Sequence, residues 1–195
     1  FNYEVGAIAK FREENANFFN KMMRYLRATA LSGPIMEFFG SLIGTYLVYK
    51  GKSLAGPYPH EVLNIPLTSF SAFVLLMSSL TMVLALAAVQ RDRIGHAKLW
   101  LFGTAFLGSI FVGMQVYEFH HFVTHYGLTL QKNLFGSTFF VLTGFHGTHV
   151  TVGVIWLLTL LAMAFAGKLS SKNSLDVEIA GLYWHFVDIV WIGIF

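Results

Sequence analysis

Glu118 stands in a run of sequence nearly empty of charge, with Gln115 three residues before it and His121 three residues after it. Side chains three apart share a helix face. Such a face suits a proton relay or a contact with another protein. It equally suits a carboxylate at a membrane edge, hydrated or paired with a histidine. His146 and His149 repeat the interval, His185 precedes Asp188 by the same three residues, and Glu37 interrupts another apolar run. An ionisable side chain at bilayer depth costs roughly 2.5–3.5 kcal/mol on insertion scales, so each requires a partner or a task. Eight histidines raise haem or copper ligation as one task. Packing is the other. Gly144, Gly147, Thr148 and Thr151 surround His146 and His149, and small residues let helices approach until imidazoles hydrogen-bond across the contact. Trp184, His185, Asp188 and Trp191 form a second polar-aromatic face, with Asp188 accepting from His185 or from a neighbouring helix. Packing predicts no metal, no haem and no catalytic residue in this chain. Cysteine is absent, which excludes disulfides and thiolate chemistry. There is no phosphate-binding loop and no dinucleotide fingerprint.

The elements that position these residues are membrane spans. Apolar residues make up 55% of the chain and charged residues 12%, with 20 phenylalanines; soluble domains carry about 25% charge. A spanning helix needs about 20 mostly apolar residues. Five runs approach that length: 30–49, Leu67 to Gln90, Leu99 to about Phe119, a helix within Asn133 to Gly167, and Ile179 to Phe195. The expected fold is therefore an all-α, polytopic membrane bundle of about five transmembrane helices over residues 30–195. The last run carries no stop signal, so the chain is expected to continue. Residues 1–29 alternate Phe11, Phe18, Phe19, Met22 and Met23 with charges and predict an amphipathic, interfacial segment. There is no internal repeat.

The basic residues orient the bundle. Ten of the 13 Lys and Arg fall in 1–29, in the second-to-third connection (Arg91, Arg93, Lys98) and in the fourth-to-fifth (Lys168, Lys172). The positive-inside rule places those segments, and the N-terminus, in the cytoplasm. Arg91, Arg93, His96 and Lys98 are candidates for lipid headgroups, or they merely obey the rule. The 51–59 segment, with its Gly and Pro, reads as an external turn. The polar 167–174 segment reads as an internal loop whose Asn173 or Ser174 caps the last helix, Asp176 and Glu178 lying in its first turn. The net charge of +3, without a basic stripe interleaved with aromatics, gives no case for nucleic acid.

Three stretches carry a resemblance. Residues 135–150 (FGSTFFVLTGFHGTHV) and 183–191 (YWHFVDIVW) closely resemble the signature segments of subunit III of haem-copper terminal oxidases, and 115–121 (QVYEFHH) resembles the helix end before the first. The Gly44-Thr45-Tyr46 triplet before a Gly-Pro loop and the uncharged second run fit the same family. The resemblance covers about 40–195. It implies a helical subunit without redox centres, docked on subunit I beside subunit II and the other oxidase subunits, with haem and copper held by those partners. It also implies bound phospholipid, support of proton uptake, protection during turnover, and the inner membrane of a bacterium. The family places an acid about ten residues before Thr45, at Ile35 by that count. Here the acid is Glu37, about 200° further round a helix. Residues 10–24 and 33–39 resemble instead the coupling region and adjoining helix of ABC exporters, which makes a transporter fragment or fusion the alternative, alongside a self-sufficient membrane haem protein.

Overall fold

The computed structural model describes residues 33–49, 65–127 and 134–194. The 1–29 segment and the 51–59 turn lie outside them. Five α-helices run through the described residues: α1 (33–49), α2 (Ile65–Gln90), α3 (Ile94–Tyr126), α4 (Leu134–Phe165) and α5 (Ser174–Ile194), the last entered through a 3-10 turn, Ser171–Asn173. Helices α2 to α5 are each long and apolar enough to cross a membrane. The chain divides into two units, Phe1–Glu37 and Phe38–Phe195, and α2 to α5 all belong to the second.

Helix α3 packs on α2 and α4, and α5 also packs on α2 and α4, so the four close into a ring. The 38–49 stretch of α1 lies outside that ring: Phe38 meets Phe145 edge-on at 5.0 Å, Tyr46 approaches Phe135 at 6.4 Å, and Ile43 lies over Gly193. The core runs the length of the ring through Leu75, Met82, Val89, Leu101, Phe111, Val154, Leu157, Trp184 and Trp191. The outward faces are equally apolar, with Phe70, Phe73, Phe102, Phe106, Ile155 and Ile189 all exposed. Lipid tails are as apolar as these side chains, so burial drives little association between helices, and close packing with interhelical hydrogen bonds must do so.

The connections explain where helices end. After Gln90 the chain turns within three residues, with Asp92 in the left-handed region (φ 53°) and the Arg93 N–H donating to the Ala88 carbonyl at 2.9 Å. Gly127 (φ 56°) and Gly167 (φ 70°) end α3 and α4 in the same left-handed conformation, which glycine adopts without Cβ cost. Helix α3 continues to Tyr126, past the stop expected at Glu118–Phe119, because nothing between Phe119 and Gly127 breaks a helix. At the other end of the ring, Asn173 does not cap α5. Its amide donates back to the Lys168 carbonyl at 3.1 Å, the 3-10 turn supplies the helix start, and only Asp176 lies in the first turn.

Candidate functional site

The polar residues singled out from the sequence are not gathered into one centre; they are distributed around the ring. Glu118 is 7% exposed, and its Oε1 accepts from the Thr68 hydroxyl of α2 at 3.2 Å. Gln115 turns the other way: its Nε2 donates to the Thr143 carbonyl of α4 at 3.2 Å, and its Oε1 sits 3.1 Å from where a Cβ on Gly147 would lie. His121 lies against His125, with ring centroids 4.4 Å apart. The three residues expected on one face thus fan towards different neighbours. Helix spacing alone does not show that they act together.

The histidines of α4 also differ from the expectation of hydrogen bonds across a helix contact. His146 is fully buried and stacks on Trp191 of α5 (4.9 Å, 24°), with Phe111 edge-on at 5.8 Å and Phe39 at 6.5 Å. Neither ring nitrogen has a hydrogen-bond partner among the described residues. His149 Nδ1 donates to the Phe145 carbonyl of its own helix at 2.8 Å, and its ring meets Phe39 edge-on at 5.1 Å. His185 Nδ1 instead pairs with the Ser79 hydroxyl of α2. Asp188, three residues on, is 4% exposed, and neither of its oxygens has a hydrogen-bond partner among the described residues. Glu37 is exposed on α1. His146, His149 and His185 therefore occupy three separate environments. Among the described residues no three His, Asp or Glu side chains are grouped as metal ligands would be.

The residue that organises this interior was visible in the sequence only as part of a polar-aromatic face. Trp184 of α5 is 1% exposed, and its Nε1 donates to Ser78 Oγ of α2 at 2.9 Å. Its ring is held between two glycines on the neighbouring helices α3 and α4. A Cβ on Gly108 of α3 would meet Trp184 Cη2 at 2.6 Å, and one on Gly153 of α4 would meet Cε3 and Cζ3 at 2.8 Å. Both distances are below van der Waals contact, so only glycine fits. Tyr183 adds an α5–α4 bond, its hydroxyl donating to the His149 carbonyl at 3.0 Å, and Thr81 and Thr104 join α2 to α3 at 2.9 Å.

At the end of the ring carrying the α2–α3 turn, Leu84, Ala87, Ala88, Arg91, Arg93, His96 and Trp100 line a pocket of about 140 Å³. Of the four headgroup candidates, Lys98 is not in it: its Nζ lies 5.0 Å from the centre of the Phe165 ring on α4. Asp92, between the two arginines, is turned away. Its Oδ2 accepts from the Ser171 hydroxyl at 2.7 Å and its Oδ1 from the Ser171 N–H at 2.8 Å, tying the α2–α3 turn to the start of the 3-10 turn. The hydroxyl first, and the N–H second, hold the Asp92 carboxyl below the ordinary carboxylate range. Both basic connections therefore lie at the same end of the bundle.

Comparison with known proteins gives one family. A family model described as cytochrome c oxidase subunit III matches residues 38–195, starting at the first residue of the second structural unit. Cytochrome c oxidase subunit 3 of Bacillus sp. strain PS3 is 36% identical over 183 residues, covering 94% of this chain and 87% of the relative. Quinol oxidase subunit 3 of Bacillus subtilis strain 168 is 38% identical over 163 residues, 84% and 79% of the two chains. Cytochrome c oxidase subunit 3 of Alkalihalophilus pseudofirmus is 36% identical over 157 residues, 80% and 76%.

Proposed function

Because this chain belongs to the cytochrome c oxidase subunit III family, we propose that it is a non-redox accessory subunit of a proton-pumping haem-copper oxygen reductase. The observation that carries the reading is the fate of its chemistry-bearing side chains. His146, His149, His185, Gln115 and Glu118 are each engaged separately in helix packing or in hydrogen bonds within the bundle. A chain so arranged acts on a neighbour's chemistry through its surroundings. Haem and copper belong to the partners, subunit I being the main contact and subunit II a further one. The relatives named for cytochrome c oxidase and for quinol oxidase are 36% and 38% identical, in keeping with an electron donor recognised by other subunits.

In this reading the bundle sits in a bacterial inner membrane with the α2–α3 and α4–α5 turns in the cytoplasm, the side from which protons are taken up. There it holds phospholipid, supports proton uptake into the catalytic subunit and protects that subunit during turnover. Oxygen consumption tests this, measured against pH and turnover number with and without the chain. The stripped complex should reduce oxygen at first, slow at high pH and lose activity over repeated turnovers. Immediate and complete loss would mean a catalytic role, and an unchanged profile would leave no role beyond assembly.

A further inference from the structure

We propose that the pocket at the α2–α3 turn binds the phosphate of an anionic membrane phospholipid. Arg91, Arg93 and His96 surround the headgroup, and Leu84, Ala87 and Trp100 lie against the glycerol and upper acyl chains. The inference gives a site and a ligand class to the lipid-holding part of the proposed function. For its geometry it needs only that α2 and α3 cross a membrane.

Four observations converge on the pocket. First, its lining is divided as an amphiphile is divided, with three basic side chains at the turn and apolar residues of α2 below them. Its volume of about 140 Å³ is well above the ~10–15 Å³ a cavity needs to hold one water. Second, its cations are not already neutralised. Arg91 and Arg93 flank Asp92, yet the left-handed backbone at Asp92 sends that carboxylate to Ser171 instead. No other carboxylate is ion-paired to the arginines among the described residues. Third, α3 begins here without a side-chain cap and without an acid in its first turn. The free N–H groups and positive dipole end of the helix therefore reinforce the field at the pocket. Fourth, the wall is open on the outer side of the bundle. Leu84 and, one turn earlier, Leu80 are 37% and 53% exposed on α2, and Trp100 has the half-buried position that indoles favour at a membrane interface. A free phosphate would use the cations and leave this wall idle; a phospholipid uses both.

The test uses the full chain in phosphatidylcholine nanodiscs doped with phosphatidylglycerol brominated on its acyl chains, with tryptophan fluorescence as the readout. Bromine next to Trp100 quenches it, and Trp100→Phe isolates that component from the other three tryptophans. Quenching should saturate at low phosphatidylglycerol content and should vanish in Trp100→Phe. It should be absent when the brominated lipid is phosphatidylcholine at the same content. Arg91→Gln with Arg93→Gln should raise the half-saturating content roughly thirtyfold, at about fivefold per cation. Lys98→Gln, outside the pocket, should leave it unchanged. If the double variant loses helicity by circular dichroism, each single variant is read at about fivefold. Equal quenching by both lipids, or an unshifted arginine variant, overturns the proposal. Displacement of the lipid by inorganic phosphate, beyond a chloride control of equal ionic strength, also overturns it, because the site would then be one for a free anion. The oxygen-consumption profile is a separate measurement, so failure here is distinguishable from failure of the accessory-subunit reading.

Discussion

Placing a methyl group on Gly108 should unseat Trp184, and the geometry sets the magnitude. The new Cβ would lie 2.6 Å from Cη2 and 2.8 Å from Cζ2 of the indole, and 3.0 Å from Val154. Carbon atoms pack at about 3.5–4.0 Å, so the ring must retreat by about 1 Å. It has no space to do so, because Gly153 lies against its other edge with Cβ distances of 2.8 Å. Moving the ring also strains the Nε1 bond to Ser78 Oγ. Overpacking costs about 1–3 kcal/mol, and a buried donor without its acceptor costs about 1–3 kcal/mol more. Alanine returns up to ~1 kcal/mol of helix propensity over glycine. The net expectation for Gly108→Ala is a loss of about 1–6 kcal/mol. Gly113 lies five residues on in the same helix with nothing within 4 Å of its Cβ position, so Gly113→Ala should be neutral or stabilising by up to ~1 kcal/mol. The assay is denaturant unfolding of the full chain in mixed micelles for Gly108→Ala, Trp184→Phe and the double variant. The smaller ring should relieve the clash, so the double variant should be more stable than the sum of the single effects requires. Strictly additive losses, or equal behaviour of Gly108→Ala and Gly113→Ala, would refute the indole clamp.

The polar contacts give further expected outcomes. Thr68→Val should destabilise the bundle by about 1–3 kcal/mol by removing the donor to buried Glu118; Thr68→Val combined with Glu118→Leu should cost less than the sum of the single changes in the same unfolding assay. His146→Phe should cost less than about 1.5 kcal/mol, because the imidazole is used as a stacking ring without a hydrogen-bond partner among the described residues; loss of the fold in that variant would show that its nitrogens matter. The Asp92–Ser171 latch should respond to acid. The folded carboxyl lies below its ordinary range, so the latch is fully present above about pH 4 and is lost as pH falls through the lower, folded value. Amide exchange at Ser171, corrected for its intrinsic pH dependence, should accelerate only in strong acid, and Asp92→Asn should abolish that step.

The spans and their order could be read from the sequence because a run of about 20 mostly apolar residues has few other uses. What faces what was much harder to read. In a soluble helix the apolar stripe marks the core, but α2 exposes Phe70, Phe73 and Leu80 while burying Val74, Leu75 and Met82, so hydropathy does not distinguish lipid from interior. Polar and small residues were the remaining guide. They marked Glu118, His146 and Asp188 as polar positions in apolar runs without indicating direction, and Gln115 and Glu118, expected together, reach different helices. The Trp184 clamp depends on Gly108 and Gly153, which sit on different helices far apart in the chain, and no local pattern pairs them. Asp92 was hidden for another reason. An acid flanked by two arginines suggests a neutralised turn, and only its left-handed backbone shows that it serves Ser171 instead.

The distribution of hydrogen bonds shows what the polar side chains of the ring are committed to. Each neighbouring pair in the ring has at least one polar link: Thr68–Glu118 and Thr81–Thr104 for α2–α3, Gln115–Thr143 for α3–α4, Tyr183–His149 for α4–α5, and Trp184–Ser78 with His185–Ser79 for α5–α2. In lipid, where apolar burial contributes little to association, such links and close glycine contacts set which helices meet and in what register. A side chain committed to register cannot also move with a reaction cycle without loosening the bundle. The ring thus commits Glu118 and His185 to its own geometry and presents to its surroundings an apolar wall, with a cationic recess at one end. Those two surfaces are what a bilayer and a neighbouring subunit can use, and any influence on a partner's chemistry must pass through them.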